Sequence, residues 1–365
     1  MIAIAPKPEE YQAQLEQKIQ QLCQSFSVFE LPGIDIFPSP PLHFRHRAEF
    51  AIWHQGNTCH YAVFPQGKKN PPQFITDFPI ASERINALML ALLPRINTNP
   101  HLKEKLFQVN FHSTTTGDAL ISLIYHKNLN EDWYRAAREL DQQLSASVVG
   151  RSRKQKLVVG ADYVTEEFTI SNKTVSYCQP ENFFTQSNAS ICQHMLTWVT
   201  DQLQTQTNQQ SDLLELYCGN GNFTLAMAPY RRRILATELV KQLVRVAKEN
   251  CQLNAIDNVE VVRLAADEVV AAINKVRPFR RLQHIDMDRY NFTTLFVDPP
   301  RAGLDASCLA LAEQFTEVIY ISCNPETLHR DLLSLARTHA IVKMAVFDQF
   351  PYTYHLECGV SLRKR

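Results

Sequence analysis

A cysteine lies where a buried strand is predicted to end and a helix to begin. The strand is the apolar run Val318–Ser322, and Cys323 follows it directly. Asn324 is a good N-cap and Pro325 a good first helical residue, so the helix is predicted to start at once. The positive end of a helix favours the thiolate, the reactive form of cysteine. Cys323 is therefore a candidate nucleophile, although a lone cysteine at a strand end is more often a packing residue.

The segment around Gly219 and Gly221 is predicted to be a tight turn between a strand and a helix. Glycines let a ligand approach the backbone closely, and Glu238, at the end of the next strand, is placed to hold ribose hydroxyls. Thr224 occupies the position of the third glycine of a dinucleotide fingerprint, which disfavours a nicotinamide dehydrogenase. An adenosyl group without phosphates fits better. This indicates S-adenosylmethionine, whose cationic end Glu215 would suit.

Two carboxylates are predicted to lie at the same edge of the sheet as Cys323. Asp298 ends the fourth strand, in an Asp-Pro-Pro-Arg sequence, and parallel strands bring their carboxyl ends to one edge. The last two strands are separated only by residues 348–356, which forces them antiparallel, so the final strand begins at that edge with Glu357. Amino-group methyltransferases carry an aromatic residue after a related turn. Arg301 takes that place here, which disfavours methylation of an amino nitrogen.

These residue types suit methylation of carbon 5 of uracil. That carbon is too poor a nucleophile to accept a methyl group unaided, but a thiolate that adds to carbon 6 turns the ring into an enolate. Cys323 would supply the thiolate. A base must then remove the proton from carbon 5 before the thiol can leave. Glu357 is placed to do this, and His355 is the second candidate.

Such an arrangement requires a parallel sheet flanked by helices. Strands are predicted at 213–217, 234–237, 259–264, 294–297 and 317–322, with helices that begin near Asn222, Val240, Asp267, Asp305 and Pro325. Two last strands follow at 341–347 and 357–362. The prediction is an α/β fold in which residues 181–365 form a doubly wound, Rossmann-like methyltransferase domain with an antiparallel last strand.

Residues 1–180 are predicted to form an α+β region that binds RNA. Helices are predicted at 8–26, 81–93 and 131–144, and strands at 45–54, 59–64, 106–111 and 118–125. A helix at 188–203 and a polar linker at 205–211 lead into the parallel sheet. Aromatic residues near basic ones suit stacking on unpaired bases, although aromatics in strands are mostly core. The candidate RNA contacts are Arg45, Arg47, Phe107 and His126.

Charge balance, cysteine spacing and the lack of long apolar runs exclude several classes of protein. The chain has 365 residues, with 37 Lys and Arg against 37 Asp and Glu, so any phosphate binding must come from local patches. The nine cysteines have no C-x-x-C spacing, which argues against disulfides, a zinc site or an iron–sulfur cluster. No apolar run reaches membrane-spanning length, and Met1 to Glu10 shows no signal-peptide pattern. The cytoplasm is the expected location.

Four segments together resemble the RNA (uracil-5-)-methyltransferases, and specifically their tRNA-directed bacterial type. They are Ser-Cys-Asn-Pro at 322–325, Asp-Pro-Pro-Arg at 298–301, LLELYCGNGNF at 213–223 and HLECGV at 355–360. RHRAEFAIWH at 45–54, KLFQ at 105–108, LIYHK at 123–127 and ENFFTQSN at 181–188 extend the resemblance over nearly the whole chain. One position departs from it: Ala51 stands where the tRNA type often has a basic residue.

The resemblance implies methylation of the T-loop uridine of tRNA, at tRNA position 54, to ribothymidine. It implies Cys323 as nucleophile and Glu357 as base. It also implies S-adenosylmethionine as cofactor, with contacts from Gln186, Tyr217, Asn222, Glu238 and Asp298. The T arm of tRNA is the expected partner, and transfer-messenger RNA with a similar loop is a further candidate substrate.

Three other functions stay open from the sequence. An amino-nitrogen methyltransferase would need no thiol. A non-catalytic RNA-binding or tRNA-folding module would need only the scaffold. The third is methylation of uracil in ribosomal RNA, but the enzymes that do this typically carry an N-terminal β-barrel or a cysteine-bound iron–sulfur cluster. Neither pattern is readable in this chain.

Overall fold

The computed structural model describes residues 6–64, 71–204 and 210–365, and residues 205–209 of the predicted linker lie outside them. The chain forms two compact units that are not consecutive in sequence. The N-terminal unit contains Pro40–Glu167 and Cys178–Ser190 with the chain up to Tyr11, and the C-terminal unit contains Gln12–Ser39, Phe168–Tyr177 and Ile191–Arg365. The functional division predicted at residue 180, into an RNA-binding region and a methyltransferase domain, stays a prediction.

The described helices and strands follow the predicted order closely. The helices are α1 (Tyr11–Ser25), α2 (Glu83–Thr98), α3 (Pro100–Lys103), α4 (Glu131–Leu144), α5 (Ala189–Gln204), α6 (Asn222–Met227), α7 (Lys241–Leu253), α8 (Ala266–Ile273), α9 (Ala306–Ala312) and α10 (Pro325–Leu335). The strands are β1 (Ile34–Phe37), β2 (Arg47–Gln55), β3 (Thr58–Val63), β4 (Gln73–Ile75), β5 (Leu106–Ser113), β6 (Ala119–Tyr125), β7 (Ser147–Ser152), β8 (Gln155–Val159), β9 (Tyr163–Ile170), β10 (Lys173–Pro180), β11 (Asp212–Leu216), β12 (Arg233–Glu238), β13 (Val259–Arg263), β14 (Phe292–Val297), β15 (Glu317–Ser322), β16 (His339–Phe347) and β17 (Glu357–Lys364).

The C-terminal unit is built on an eight-stranded sheet in the order β1-β16-β17-β15-β14-β11-β12-β13. Strands β11 to β15 pair in parallel, whereas β17 runs antiparallel to both β15 and β16. The predicted doubly wound α/β fold with an antiparallel last strand is confirmed. The strand order reverses between β11 and β14, which is where ligands bind in such sheets.

Helices cover this sheet on both faces, as a parallel sheet requires. Leu22 and Phe26 of the predicted N-terminal helix join Leu328 and Leu332 of α10 in one buried core. Burial of each such side chain stabilises the fold by about 1.5–3 kcal/mol. Trp198 of α5 is not part of this core cluster and packs against Phe347 of β16 and Gly359 of β17. A Cβ at Gly359 would lie 2.8 Å from the Trp198 ring, so only glycine fits there.

The N-terminal unit contains a seven-stranded sheet in the order β4-β3-β2-β5-β6-β7-β8. Its pairs are antiparallel except β6 with β7, which are parallel and are joined through α4. Trp133 of α4 is fully buried, and a Cβ at Gly150 would lie 2.3 Å from its ring. The helix therefore packs directly on the backbone of β7. The predicted α+β organisation is present, and β4, β7, β8, β9 and β10 add strands that the prediction omits.

Three further properties bear on where and how the chain works. Within the residues that the structure covers, no helix combines the length and the apolar character needed to cross a bilayer. The same residues contain no group of three or more His, Cys, Asp or Glu side chains arranged to hold a metal ion. The nine cysteines all lie within the described residues, and none of them forms a disulfide there. A cytoplasmic location stays a prediction.

Candidate active site

Cys323 lies at the junction that the sequence predicts. All six residues of β15 are buried, and the strand ends one residue before the cysteine. Asn324 caps α10: its side-chain oxygen accepts a hydrogen bond from the Glu326 N–H at 3.1 Å, and Pro325 is the first helical residue. The capped helix fixes the backbone on which the thiol sits.

Strand pairing brings Glu357 opposite Cys323. The antiparallel register of β15 with β17 ends with Ser322 opposite Cys358, so Cys323 and Glu357 occupy the next positions outward. Asp298 directly follows β14, the parallel neighbour of β15. The thiol and both carboxylates therefore meet at one edge of the sheet, from strands that are far apart in sequence.

Three carboxyl groups near this edge have pKa values well above the ordinary range. Burial raises the pKa of Glu215 to about 8, of Asp298 to about 7 and of Glu357 to about 8. The charge of Asp298 raises the pKa of the other two further. Among the described residues, Oε2 of Glu357 has no hydrogen-bond partner, although the residue is only 3% exposed. Raised pKa values favour the neutral forms of these carboxyl groups, and a cationic ligand bound among them would favour the ionised forms.

The pKa of the Cys323 thiol differs from the prediction. It is raised to about 11, first by burial and then by the charges of Glu357 and Asp298. The expectation that the helix start lowers this pKa is therefore wrong. Partial burial and two neighbouring carboxylates outweigh the helix terminus, whose effect is worth only about 0.3–1 kcal/mol.

Arg301 contributes charge to the site, although its place in the sequence indicates only that it replaces an aromatic side chain after the Asp-Pro-Pro turn. Its charge lowers the pKa of both Cys323 and Glu357, opposing the carboxylates. Its backbone oxygen accepts hydrogen bonds from the Asn324 side-chain amide at 3.1 Å and from the Thr327 hydroxyl at 3.2 Å. The start of α10 thus holds the Asp-Pro-Pro-Arg turn beside the thiol. Its position in the Asp-Pro-Pro-Arg turn is the sequence feature that could have identified Arg301 as a site residue.

The glycine-rich turn is tied to the next strand by Glu238. Its carboxylate accepts hydrogen bonds from the Gly219 N–H at 3.1 Å and the Val240 N–H at 2.7 Å. Gly219 has φ 58° and Gly221 has φ 88°, and a Cβ at Gly221 would lie 2.7 Å from Leu225. Both positions therefore require glycine. A Cβ at Gly219 would meet no atom within 4 Å, so the backbone there faces open space.

The other predicted cofactor residues are divided between the units. Tyr217, with φ 63°, precedes the turn, and Asn222 is the first residue of α6. The Asn222 side-chain oxygen accepts a hydrogen bond from the Cys192 thiol at 3.6 Å. Gln186 belongs to the N-terminal unit. The role of each in binding a cofactor stays a prediction.

Two of the predicted RNA contacts use their side-chain donors within the N-terminal unit. Arg47 donates to the backbone oxygen of Glu181 at 3.1 Å and to that of Phe183. Nε of Arg45 donates to the backbone oxygen of Arg47 at 2.7 Å. Both guanidinium groups therefore support the fold here, and Arg47 holds the segment that precedes Gln186.

The other two predicted RNA contacts form a stacked pair at a cavity. The rings of Phe107 and His126 lie 3.9 Å apart, centre to centre, at an angle of 12°. The cavity has a volume of about 590 Å³, and Lys103 and Lys105 also line it. Phe107 is half-buried and His126 is exposed. An aromatic platform beside two lysines is suited to an unpaired base and its phosphate.

A buried lysine holds the loop that leads to Glu357. Nζ of Lys18 lies 2.7 Å from the Asp348 carboxylate, and it donates to the backbone oxygens of Phe350 and His355 at 3.1 Å each. One ammonium group thus binds both ends of the segment between β16 and β17. His355, the alternative base, takes part in this network through its backbone oxygen.

We expect Lys18→Met to destabilise the protein by about 3–5 kcal/mol, because Asp348 would keep a buried charge without its partner. Chemical denaturation measures this loss. The double variant Lys18→Met, Asp348→Leu removes both charges and should regain most of the free energy of unfolding. A double variant as unstable as the single one would show that the ion pair is not the cause.

Known proteins are similar in sequence over nearly the whole chain. The family described as tRNA (Uracil-5-)-methyltransferase matches residues 10–365. A tRNA/tmRNA (uracil-C(5))-methyltransferase of Azotobacter vinelandii strain DJ is 50% identical over 361 residues, covering 98% of each chain. The protein of the same name from Stutzerimonas stutzeri strain A1501 is 48% identical over 358 residues, again covering 98% of each chain.

A solved structure shares the fold. It is the Pyrococcus abyssi tRNA (uracil-54, C5)-methyltransferase in complex with S-adenosyl-L-homocysteine, with a TM-score of 0.72 and 20% sequence identity. The match covers 96% of this chain and 83% of the Pyrococcus abyssi chain. With the family match over residues 10–365 and relatives at about half identity, this chain belongs to the tRNA (uracil-5-)-methyltransferase family.

Proposed function

We propose that this protein transfers a methyl group from S-adenosylmethionine to carbon 5 of uridine 54 in the T loop of tRNA, giving 5-methyluridine. The observation that carries this proposal is the placement of Cys323 opposite Glu357, beside Asp298. Family membership supports the reaction class. The relatives' names include tmRNA, which supports T-loop-like transfer-messenger RNA as a second substrate.

The residues present fit S-adenosylmethionine. The cofactor carries a sulfonium and an ammonium cation and no phosphate, and the site has three buried carboxyls with raised pKa values. The open space at Gly219 leaves room for a ligand at the turn. When bound, the cofactor supplies an electrophilic methyl group. We assign its binding to Gln186, Tyr217, Asn222, Glu238 and Asp298.

The chain's own residues account for the chemistry at the uracil ring. The Cys323 thiolate forms a bond to carbon 6, and the electron pair of the carbon 5–carbon 6 double bond moves into an enolate. Carbon 5 then accepts the methyl group. Glu357 takes the proton from carbon 5, the double bond forms again and the bond from sulfur to carbon 6 breaks. The positive charge of Arg301 favours the thiolate at the start of this sequence.

The base must leave its stacked position in the T loop to reach the thiol. Extrusion of a base costs a few kcal/mol, and contacts that replace the lost stacking recover part of this cost. The stacked pair of Phe107 and His126 provides an aromatic surface for such a contact. We therefore assign RNA contact to these two residues.

We expect Phe107→Ala to raise the KM for tRNA about ten-fold, because stacking on an aromatic side chain is worth about 1–3 kcal/mol per base. Steady-state methylation assays measure this change. Phe74→Ala is a matched control, since Phe74 also stacks on a histidine, His60, at 4.7 Å and 12° in the same unit. Equal KM values for the two variants would remove Phe107 from the RNA interface.

The proposed reaction is tested with an unmodified tRNA transcript and labelled S-adenosylmethionine. Nucleoside analysis should find 5-methyluridine, and a transcript with cytidine at position 54 should accept no methyl group. A ribosomal RNA fragment serves as competitor. Methylation of an amino nitrogen, preference for the ribosomal fragment, or tRNA binding without methylation would each support one of the other functions.

A further inference from the structure

A second cavity, of about 750 Å³, lies at the β13 end of the strand order, five strands away from β17, which begins with Glu357. It opens beside β13, the edge strand of the C-terminal sheet, between α7 and the segment that follows α8. Five basic side chains and one carboxylate are among its lining residues: Lys248, Arg263, Arg277, Arg280, Arg281 and Glu268. Because the whole chain has a formal net charge of zero, this is a local concentration of positive charge.

Nearby carboxylates neutralise only part of this charge. Glu268 lies 3.5 Å from Arg281, and Glu260 lies 3.6 Å from Lys248. Within the parts of the chain that the structure describes, no carboxylate forms an ion pair with Arg263, Arg277 or Arg280. These three side chains are exposed. Their guanidinium groups are available to an anionic ligand.

The walls of the cavity hold two of these arginines, Arg277 and Arg263, in place. The Arg277 guanidinium lies 4.1 Å from the centre of the Phe279 ring, and that ring is buried. Nε of Arg263 donates to the backbone oxygen of Leu239 at 2.9 Å, which leaves its terminal nitrogens for other partners. Arginines on rigid supports lose less conformational entropy when they bind phosphate, which their planar donors match in geometry.

The cavity faces the same edge of the sheet as the candidate active site. Arg263 is the last residue of β13 and lies opposite Glu238 in the strand register. Four strand spacings separate β13 from β15, which corresponds to about 19 Å. An RNA whose base reaches Cys323 would place neighbouring nucleotides within this distance.

We propose that this cavity binds the phosphodiester backbone of the RNA substrate, about 19 Å from the reacting base. The proposal rests on the proposed function for the identity of that RNA. The methyl donor carries no phosphate, so it does not account for a cavity of this charge. Backbone binding at a second position would fix the RNA while one nucleotide leaves the T loop, and would let a neutral protein bind a polyanion.

The test is the double variant Arg277→Gln, Arg280→Gln, with binding to tRNA measured by fluorescence anisotropy over a range of salt concentrations. The matched control is the double variant Arg337→Gln, Lys364→Gln, which also removes two exposed positive charges. These two residues lie at the edge of the sheet where the parallel strands begin, away from the active site. We expect the cavity variant to bind tRNA about ten-fold more weakly at low salt. The slope of log K against log salt should become shallower by about two, one for each lost phosphate contact.

The control variant should bind like the wild type, and both variants should keep the KM for S-adenosylmethionine. An unchanged salt slope in the cavity variant would overturn the proposal. An equal loss in both variants would also overturn it, since it would indicate a general charge effect, and so would a raised KM for the cofactor alone. Methylation of the same tRNA by the wild type is measured in a separate assay. A wild type that binds this tRNA without methylating it would contradict the proposed reaction, whereas the binding data alone decide whether the cavity contacts RNA.

Discussion

The Cys323→Ala enzyme should bind tRNA but methylate it about 10⁴-fold more slowly than the wild type, or slower still. Alanine cannot form the bond to carbon 6, and loss of a covalent nucleophile typically costs this much or more. Cys323 is only partly buried, so the substitution should leave the fold intact. Single-turnover assays with labelled cofactor measure the rate, and anisotropy measures tRNA binding.

A second readout reports the covalent bond directly. With tRNA that contains 5-fluorouridine, the wild type should form a complex that survives denaturation, because fluorine cannot leave carbon 5 as a proton does. Cys323→Ala should form none. Cys23→Ala, at an exposed position of α1, is the control and should behave like the wild type. A Cys323→Ala enzyme that keeps its rate within ten-fold would assign the chemistry to another group, as an amino-nitrogen methyltransferase requires.

The arrangement of the site could be predicted from the sequence because strand direction alone determines it. Cys323 and Asp298 each follow an apolar strand, and parallel strands end at one edge. The short loop between the last two strands reverses the final one, which brings Glu357 to the same edge. These arguments need only local patterns and the geometry of a sheet.

The electrostatics of the site could not be predicted in the same way. The raised pKa of the Cys323 thiol comes from burial and from carboxylates on two other strands, and both depend on tertiary packing. The Lys18 ion pair joins residues 330 positions apart, and no local pattern marks either partner. Strand β1 is short and lies between Pro32 and Pro38. The prediction therefore omits it, although it pairs with β16.

The Glu357→Gln enzyme should stop at a covalent complex with ordinary tRNA. Glutamine fills the same buried position but cannot accept the proton from carbon 5, so the bond from sulfur to carbon 6 forms and is not released. Turnover should fall by about 10²–10⁴-fold, while up to one methyl group per enzyme is transferred in the first turnover. A denaturing gel with labelled tRNA detects the complex. Glu249→Gln, an exposed carboxylate on α7, should show neither effect.

The pH dependence follows from the pKa of Glu357, which burial raises to about 8. Glu357 accepts a proton only when ionised, so the release step in the wild type should become faster as pH rises towards 8. In Glu357→Gln this rise should be absent. The thiol pKa should also fall in the variant, because the charge of Glu357 raises it in the wild type. The rate of Cys323 alkylation against pH, followed by mass spectrometry, measures that shift.

Rapid turnover by Glu357→Gln, without accumulated complex, would assign the base to another group, and His355→Gln would then be the variant to examine.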